Sequence, residues 1–208
     1  MGKIPNSSMG MLAKQCGGLG KVATSESTPT NQFIRGKPIR WGYKAWAACT
    51  PLGYAFTLDL YQGKYEGNNP NVYASEYGLG GKVILNILDT LQAEYPGIRF
   101  SLYFDYFFTS IKLLEIKRRG HGATGTLRAN RVEKFPLTIN KTFEKLPRGS
   151  EERFLDRDSQ ILVVRWNDNR VVSIGSNEHG TFPMKKVERY STREKKKVSI
   201  GCPRMIDT

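Results

Sequence analysis

IRFSLYFDYFFTSIKLLEIKRRGHGATGTLRANR, residues 98–131, carries a strand, a helix and a second strand in immediate succession. Apolar residues recur at every second position, Ile98, Phe100, Leu102 and Phe104, and the run stops at one carboxylate, Asp105. That alternation is the pattern of a strand. Leu113, Leu114 and Ile116 follow at helical spacing, and Gly120 is placed to stop the helix. Ala123 to Leu127 reads as the next strand. An acid just after a strand commonly forms a turn or caps a helix. In an open α/β sheet, the carboxyl end of a strand is also where ligands and catalytic groups sit.

The string as a whole resembles the second catalytic block of piggyBac-type transposases. The matching residues are Asp105, Phe107, Phe108, Thr109, Ser110, Gly120, Thr124, Gly125, Thr126, Arg128, Asn130 and Arg131. Tyr106 departs from the pattern, which has Asn there. Two further segments share the resemblance: QFIRGKPIRWGYKAWAACTPLGYAFTLDLYQGK from Gln32, and VVRWNDNRVVSIGSNEHGTFPMKKVERYS from Val163. It covers the chain from about Gln32 to Thr208.

Composition agrees with a polyanionic partner. The 208 residues hold 32 Lys and Arg against 19 Asp and Glu, a formal net charge of +13. Such a surplus points to nucleic acid first. Cys16, Cys49 and Cys202 are far apart, with no spacing suited to zinc, and fit a reducing compartment. There is no apolar run of membrane-spanning length and no secretory h-region, so a membrane partner is not expected.

In chain order, residues 1–31 are rich in Gly, Ser, Thr and Lys and read as disordered or non-homologous. Ile39 to Ala45 and Tyr54 to Leu60 alternate as two hairpin strands around Thr50-Pro51-Leu52-Gly53. Lys64 to Gly78 reads as a polar loop. Lys82 to Tyr95 carries a helical stripe of Val83, Ile84, Ile87, Leu88 and Leu91, closed by Pro96-Gly97. From Val132 to about Thr192 short strands alternate with polar turns, the clearest pair flanking Asn167-Asp168-Asn169. Asp168 is expected to serve that turn, and His179, a lone His in a Gly loop, is not expected to be a ligand. Residues 193–208 form a basic tail containing Lys195, Lys196 and Lys197.

The resemblance implies an α/β fold: an incomplete RNase H-like mixed sheet with flanking helices, plus a β-rich insertion. Its divisions are residues 1–31, a core at 32–131 lacking its first strand, the insertion at 132–192, and the tail at 193–208. In the family the first strand is central and ends in the first catalytic Asp. Glu26, the acid nearest that place, sits in a Ser/Thr/Pro setting and takes no role. Without a central strand, either the N-terminal segment fills the gap or the neighbouring strands expose unpaired edges. The third acid would follow the Pro203-to-Asp207 segment, so Asp207 is not that acid.

The family's chemistry is metal-dependent DNA cleavage and strand transfer, with Mg²⁺ or Mn²⁺ held by three acids. Only Asp105, as the second acid, transfers to this sequence, so neither tight metal binding nor cleavage by the chain alone is expected. Lys117, Arg118, Arg119, Arg128, Arg131, Lys195, Lys196 and Lys197 are candidates for DNA phosphate contacts. Lys117 to Arg119 also suit a helix C-terminus. DNA is the implied partner, with a second copy or a full-length transposase beside it, and the nucleus is the implied location. The alternatives are a domesticated, non-catalytic DNA-binding or scaffolding protein, or a mobile-element relic without selected function.

Overall fold

The computed structural model describes residues 9–17, 31–33, 41–61, 72–132, 135–192 and 194–206. Glu26, Asp207 and most of the expected 64–78 loop lie outside these residues. The fold is mixed α/β, with eleven described strands and few helices. The chain divides into two compact units, Met1–Tyr103 and Phe104–Thr208. Among the described residues, no helix is long and apolar enough to cross a membrane.

In the first unit, β3 (Trp41–Cys49) and β4 (Ala55–Leu60) form the expected hairpin. The turn closes when the Thr50 carbonyl accepts the Gly53 N–H at 2.9 Å and the Thr50 hydroxyl accepts the Tyr54 N–H at 3.2 Å. Gly53 supplies the positive φ of 86° that the turn needs. Ala45 to Ala48 are buried, and Trp46 meets Tyr61 edge to face at 5.7 Å. A short strand, β2 (Asn31–Phe33), pairs with the start of β3.

A strand stands where the sequence reading expected none. Met9–Gly17, read from sequence as disordered, is a strand, β1, antiparallel to β3 with Leu12 opposite Cys49 and Gly17 opposite Lys44. It lies between β3 and β5 (Phe100–Phe104). Its composition is a weak strand signal, and backbone pairing with β3 overrides that signal. β1 contains no Asp or Glu.

α1 (Val72–Glu94) begins earlier than the sequence suggests, inside the stretch read as a loop. It breaks at Gly78, whose φ of 70° and ψ of 178° are not helical. Ile84, Leu85, Leu88 and Leu91 are its buried stripe, with Leu85 in place of the half-buried Val83 and Ile87.

In the second unit, α2 (Ile111–Leu114) and a 3-10 turn (Glu115–Arg119) follow the Asp105 turn. β6 (Gly122–Leu127) comes next, then the short helices α3 (Ala129–Val132) and α4 (Asn140–Phe143). β7 (Glu151–Asp156), β8 (Ile161–Asn167) and β9 (Val171–Ser176) join β6 in one sheet ordered β6-β9-β8-β7. The β6–β9 ladder pairs Thr124 with Ser176 and Leu127 with Ser173. That ladder joins β6 to the β-rich region in one sheet.

The basic tail is also structured. β11 (Lys196–Cys202) pairs along its whole length with β10 (Lys185–Ser191). Alternating Val198, Ile200 and Cys202 pack with Trp166, while the indole Nε1 donates to the Gly201 carbonyl at 2.8 Å. Met205, in the 3-10 turn Arg204–Ile206, packs on Val164 and Ile174.

Asn177 is the joint of this unit. Its Oδ1 accepts the Ala123 N–H at 2.8 Å, and its Nδ2 donates to the Leu114 carbonyl at 2.7 Å. It therefore ties the end of α2 to the start of β6. Asn177→Ala is expected to lower unfolding free energy by about 2–4 kcal/mol, because buried donors and acceptors lose their partners. Urea titration should show a lower midpoint at unchanged slope. An unshifted midpoint would refute the assignment.

Candidate functional site

β5 ends in a tight reversal built on Asp105. Its carboxylate Oδ1 accepts the Phe107 N–H at 2.8 Å. Its carbonyl accepts the N–H groups of Phe108 and Thr109 at 3.2 Å each, and the Thr109 hydroxyl at 2.8 Å. This is a turn closed by an Asp side chain. Ser110 then caps α2 by accepting the Leu113 N–H at 3.1 Å. Leu113, Leu114 and Ile116 are buried, and Gly120 ends the segment at φ 83°.

Several matching residues hold this turn in place. Thr109 is fully buried against Gly125 of β6. A Cβ on Gly125 would stand 2.4 Å from the Thr109 hydroxyl and 2.8 Å from the Phe104 carbonyl, so only glycine allows this approach. Thr124 hydrogen-bonds Ser176 at 2.8 Å. Arg131 donates through Nη1 to the carbonyls of Tyr106, at 3.2 Å, and of Thr109. Burial, and secondarily the nearby Arg128 charge, lower the Arg131 pKa from its ordinary value. The Arg128 guanidinium lies 5.0 Å from the centre of the Tyr106 ring, and that ring is 54% exposed.

The structure thus gathers Asp105, Arg128 and Arg131 around one turn. The other candidates are elsewhere. Lys117, Arg118 and Arg119 are exposed on the last 3-10 turn, where Arg118 pairs with Glu115 at 3.4 Å. Lys195, Lys196 and Lys197 are exposed at the β10–β11 connection. Lys195 has φ 52°, Lys196 pairs with Glu194 at 3.1 Å, and Lys197 with Glu188 at 3.7 Å.

Asp168 does more than form a turn. Its Oδ1 accepts Arg148 Nε at 2.8 Å and Nη2 at 2.6 Å, and its Oδ2 accepts Arg189 Nε at 3.1 Å. Neither arginine stood out in the sequence, because both lie about twenty positions from Asp168 and meet it only in the folded chain. His179 Nε2 lies 3.6 Å from Glu178 Oε1.

The divalent pair implied by the resemblance does not fit the described residues. Among them no three His, Cys, Asp or Glu side chains converge as metal ligands. One oxygen of Asp105 is already engaged by Phe107. Two bridging ions require several carboxylates.

Over residues 20–208 the chain matches the family described as Transposase IS4. β1 precedes that match. The chain is 43% identical to the human PiggyBac transposable element-derived protein 3 over 176 residues, 84% of this chain and 29% of that protein. It is 35% identical to the human PiggyBac transposable element-derived protein 2 over 178 residues, 85% of this chain and 29% of the relative. The chain therefore spans under a third of the length of either relative. A cryo-EM structure of a piggyBac transposase synaptic complex with hairpin DNA shares the fold with a TM-score of 0.62. The identity is 17%, covering 95% of this chain and 36% of that one.

Asp105→Asn keeps a side-chain oxygen to accept the Phe107 N–H, and its stability should stay within about 0.5 kcal/mol of wild type. Arg131→Met should cost about 1–2 kcal/mol through the lost bonds to two carbonyls. It should also speed amide hydrogen exchange at Phe108 and Thr109. Unchanged exchange at those amides in Arg131→Met would show that the arginine does not hold the turn.

Proposed function

Because the chain belongs to the piggyBac-like DDE transposases of the IS4 family, we propose that it is the portion of a transposase catalytic domain that presents the second acid, Asp105. The strand order β4-β3-β1-β5 fits the opening strands of an RNase H-like core, with β1 as the central strand. The family uses divalent metals. The 208-residue polypeptide by itself binds duplex DNA and does not cut it.

The observation that carries this reading is the Asp105 turn. The Asp105 carboxylate closes that turn on the Phe107 N–H, while Arg131 is committed to the turn's backbone carbonyls and Arg128 lies on Tyr106. That arrangement positions an acid but does not complete a two-metal site. Lys117, Arg118, Arg119, Lys195, Lys196 and Lys197 supply phosphate contacts from exposed turns, and the nucleus is where such a protein would meet its substrate. A second reading is a domesticated DNA-binding or scaffolding protein without chemistry. The net charge of +13 and the absence of acids from β1 favour it.

Duplex binding should weaken steeply with salt, with a log–log slope of about −0.9 for each phosphate neutralised. Replacing Lys195, Lys196 and Lys197 by Ala should make that slope shallower. With Mg²⁺ or Mn²⁺ the chain should leave transposon-end DNA intact. Nicking that vanishes in Asp105→Asn would overturn the reading, since that variant keeps the turn. Salt-insensitive binding, or none, would remove DNA as the partner.

A further inference from the structure

Ser199 stands out on the β10–β11 ribbon. It is exposed in the middle of β11 and follows Lys196-Lys197-Val198. No other Ser or Thr of the 208 residues has a basic residue both two and three places before it. Lys196 and Lys197 keep 68% and 73% of their side-chain surface in solvent, so each ammonium group is open to a further carboxylate. Among the described residues β11 pairs only with β10, so the run from Lys196 to Ser199 is extended and bordered by a strand on one side. Protein kinases hold their substrates as an extended segment, and those with acidic clefts read positive charge ahead of the acceptor hydroxyl. In an extended run Lys197 and Lys196 lie about 7 Å and 10 Å from Ser199.

The outer face of the ribbon sets what a phosphate there does. Side chains alternate along each strand, so Lys197 and Ser199 of β11 share this face with Lys186, Glu188 and Tyr190 of β10. All five are exposed. Ser199 lies directly opposite Glu188, and Lys197 opposite Tyr190. The charges of the face are thus two lysines and one glutamate. A phosphoserine adds roughly −1.5 to −2 charge, which cancels or reverses that surplus. It stands across from the Glu188 carboxylate, an unfavourable pairing. It also draws Lys197, 3.7 Å from Glu188, toward its own oxygens. A lysine held in this way is withdrawn from DNA phosphates. We propose that Ser199 is a phosphorylation site for a basophilic Ser/Thr kinase, and that its phosphate turns off DNA binding by the β10–β11 ribbon. The Ser199 hydroxyl oxygen bonds to the γ-phosphorus of ATP, the bond to ADP breaks, and the hydroxyl proton passes to the base of the kinase. The acceptor site stands on the geometry of β11, and the switch rests on the DNA-binding reading above.

The folded chain, incubated with Mg²⁺-ATP and a kinase of the cyclic-AMP-dependent type, should gain the mass of one phosphoryl group, mapped to Ser199 by peptide fragmentation. Ser199→Ala should abolish the gain. Thr192→Ala, where a single arginine precedes the hydroxyl, should not. Replacing Lys196 and Lys197 by Ala should slow the transfer at least about ten-fold. The phosphorylated chain should bind duplex DNA at least about ten-fold more weakly near 0.1 M salt than the unmodified chain, with a shallower salt slope. Ser199→Ala treated with the same kinase should bind as before. Far-UV circular dichroism of each variant confirms that it is folded. Labelling of a synthetic 194–203 peptide but not of the folded chain overturns the proposal, as does labelling that persists in Ser199→Ala. Equal DNA affinity before and after labelling overturns the switch. Labelling at Ser199 in a chain that binds no duplex when unmodified supports the acceptor site and overturns the DNA-binding reading instead.

Discussion

A half-buried guanidinium, that of Arg131, bonds to two backbone carbonyls in the turn that follows β5. Carbonyls in a tight reversal lack the partners they would have in a sheet or helix, and leaving them unpaired away from water is costly. Arg131 supplies those partners from beyond the end of β6. The exits of two strands are thereby held together, and Asp105 is fixed at their junction. Asn177 repeats the device one layer away with an uncharged amide between the Leu114 carbonyl and the Ala123 N–H. Asn167 does so again, with its Nδ2 bonded to the Leu146 carbonyl. Polar side chains reaching into loops of backbone are the recurring joint of the second unit.

Sequence reasoning could see what local patterns encode. The Thr50–Gly53 turn, the stop at Gly120 and the hairpin around Asp168 all rest on residues within a few positions of each other. The Leu113, Leu114 and Ile116 face is equally local. What remained hidden depends on pairing at long range. Met9–Gly17 has little strand character of its own and becomes a strand because β3 offers it an edge. The 193–208 tail reads as basic because its lysines are conspicuous, while the alternating Val198, Ile200 and Cys202 beneath them seat on Trp166.

The site was legible to the same degree. Asp105, Arg128 and Arg131 come from one contiguous string; Arg131 bonds to carbonyls of the turn that Asp105 closes, and Arg128 lies on Tyr106 of that turn. The roles of the arginines were not legible. Arg131 is turned toward carbonyls and Arg128 toward an aromatic face, so neither side chain is a simple free charge for phosphate. The Arg148–Asp168–Arg189 cluster had no signal at all, because it joins two turns and a strand that are about twenty residues apart in the chain.

The matched string also has a meaning for descent. Gly125 is required because Thr109 and the Phe104 backbone press against it. Ser110, Thr109, Thr124 and Arg131 likewise serve caps, packing and backbone contacts. Most of the motif is scaffold, and Asp105 itself closes a turn. Selection for a stable fold alone is enough to keep these letters in place, whatever reaction does or does not depend on them. The signature is first of all a record of architecture.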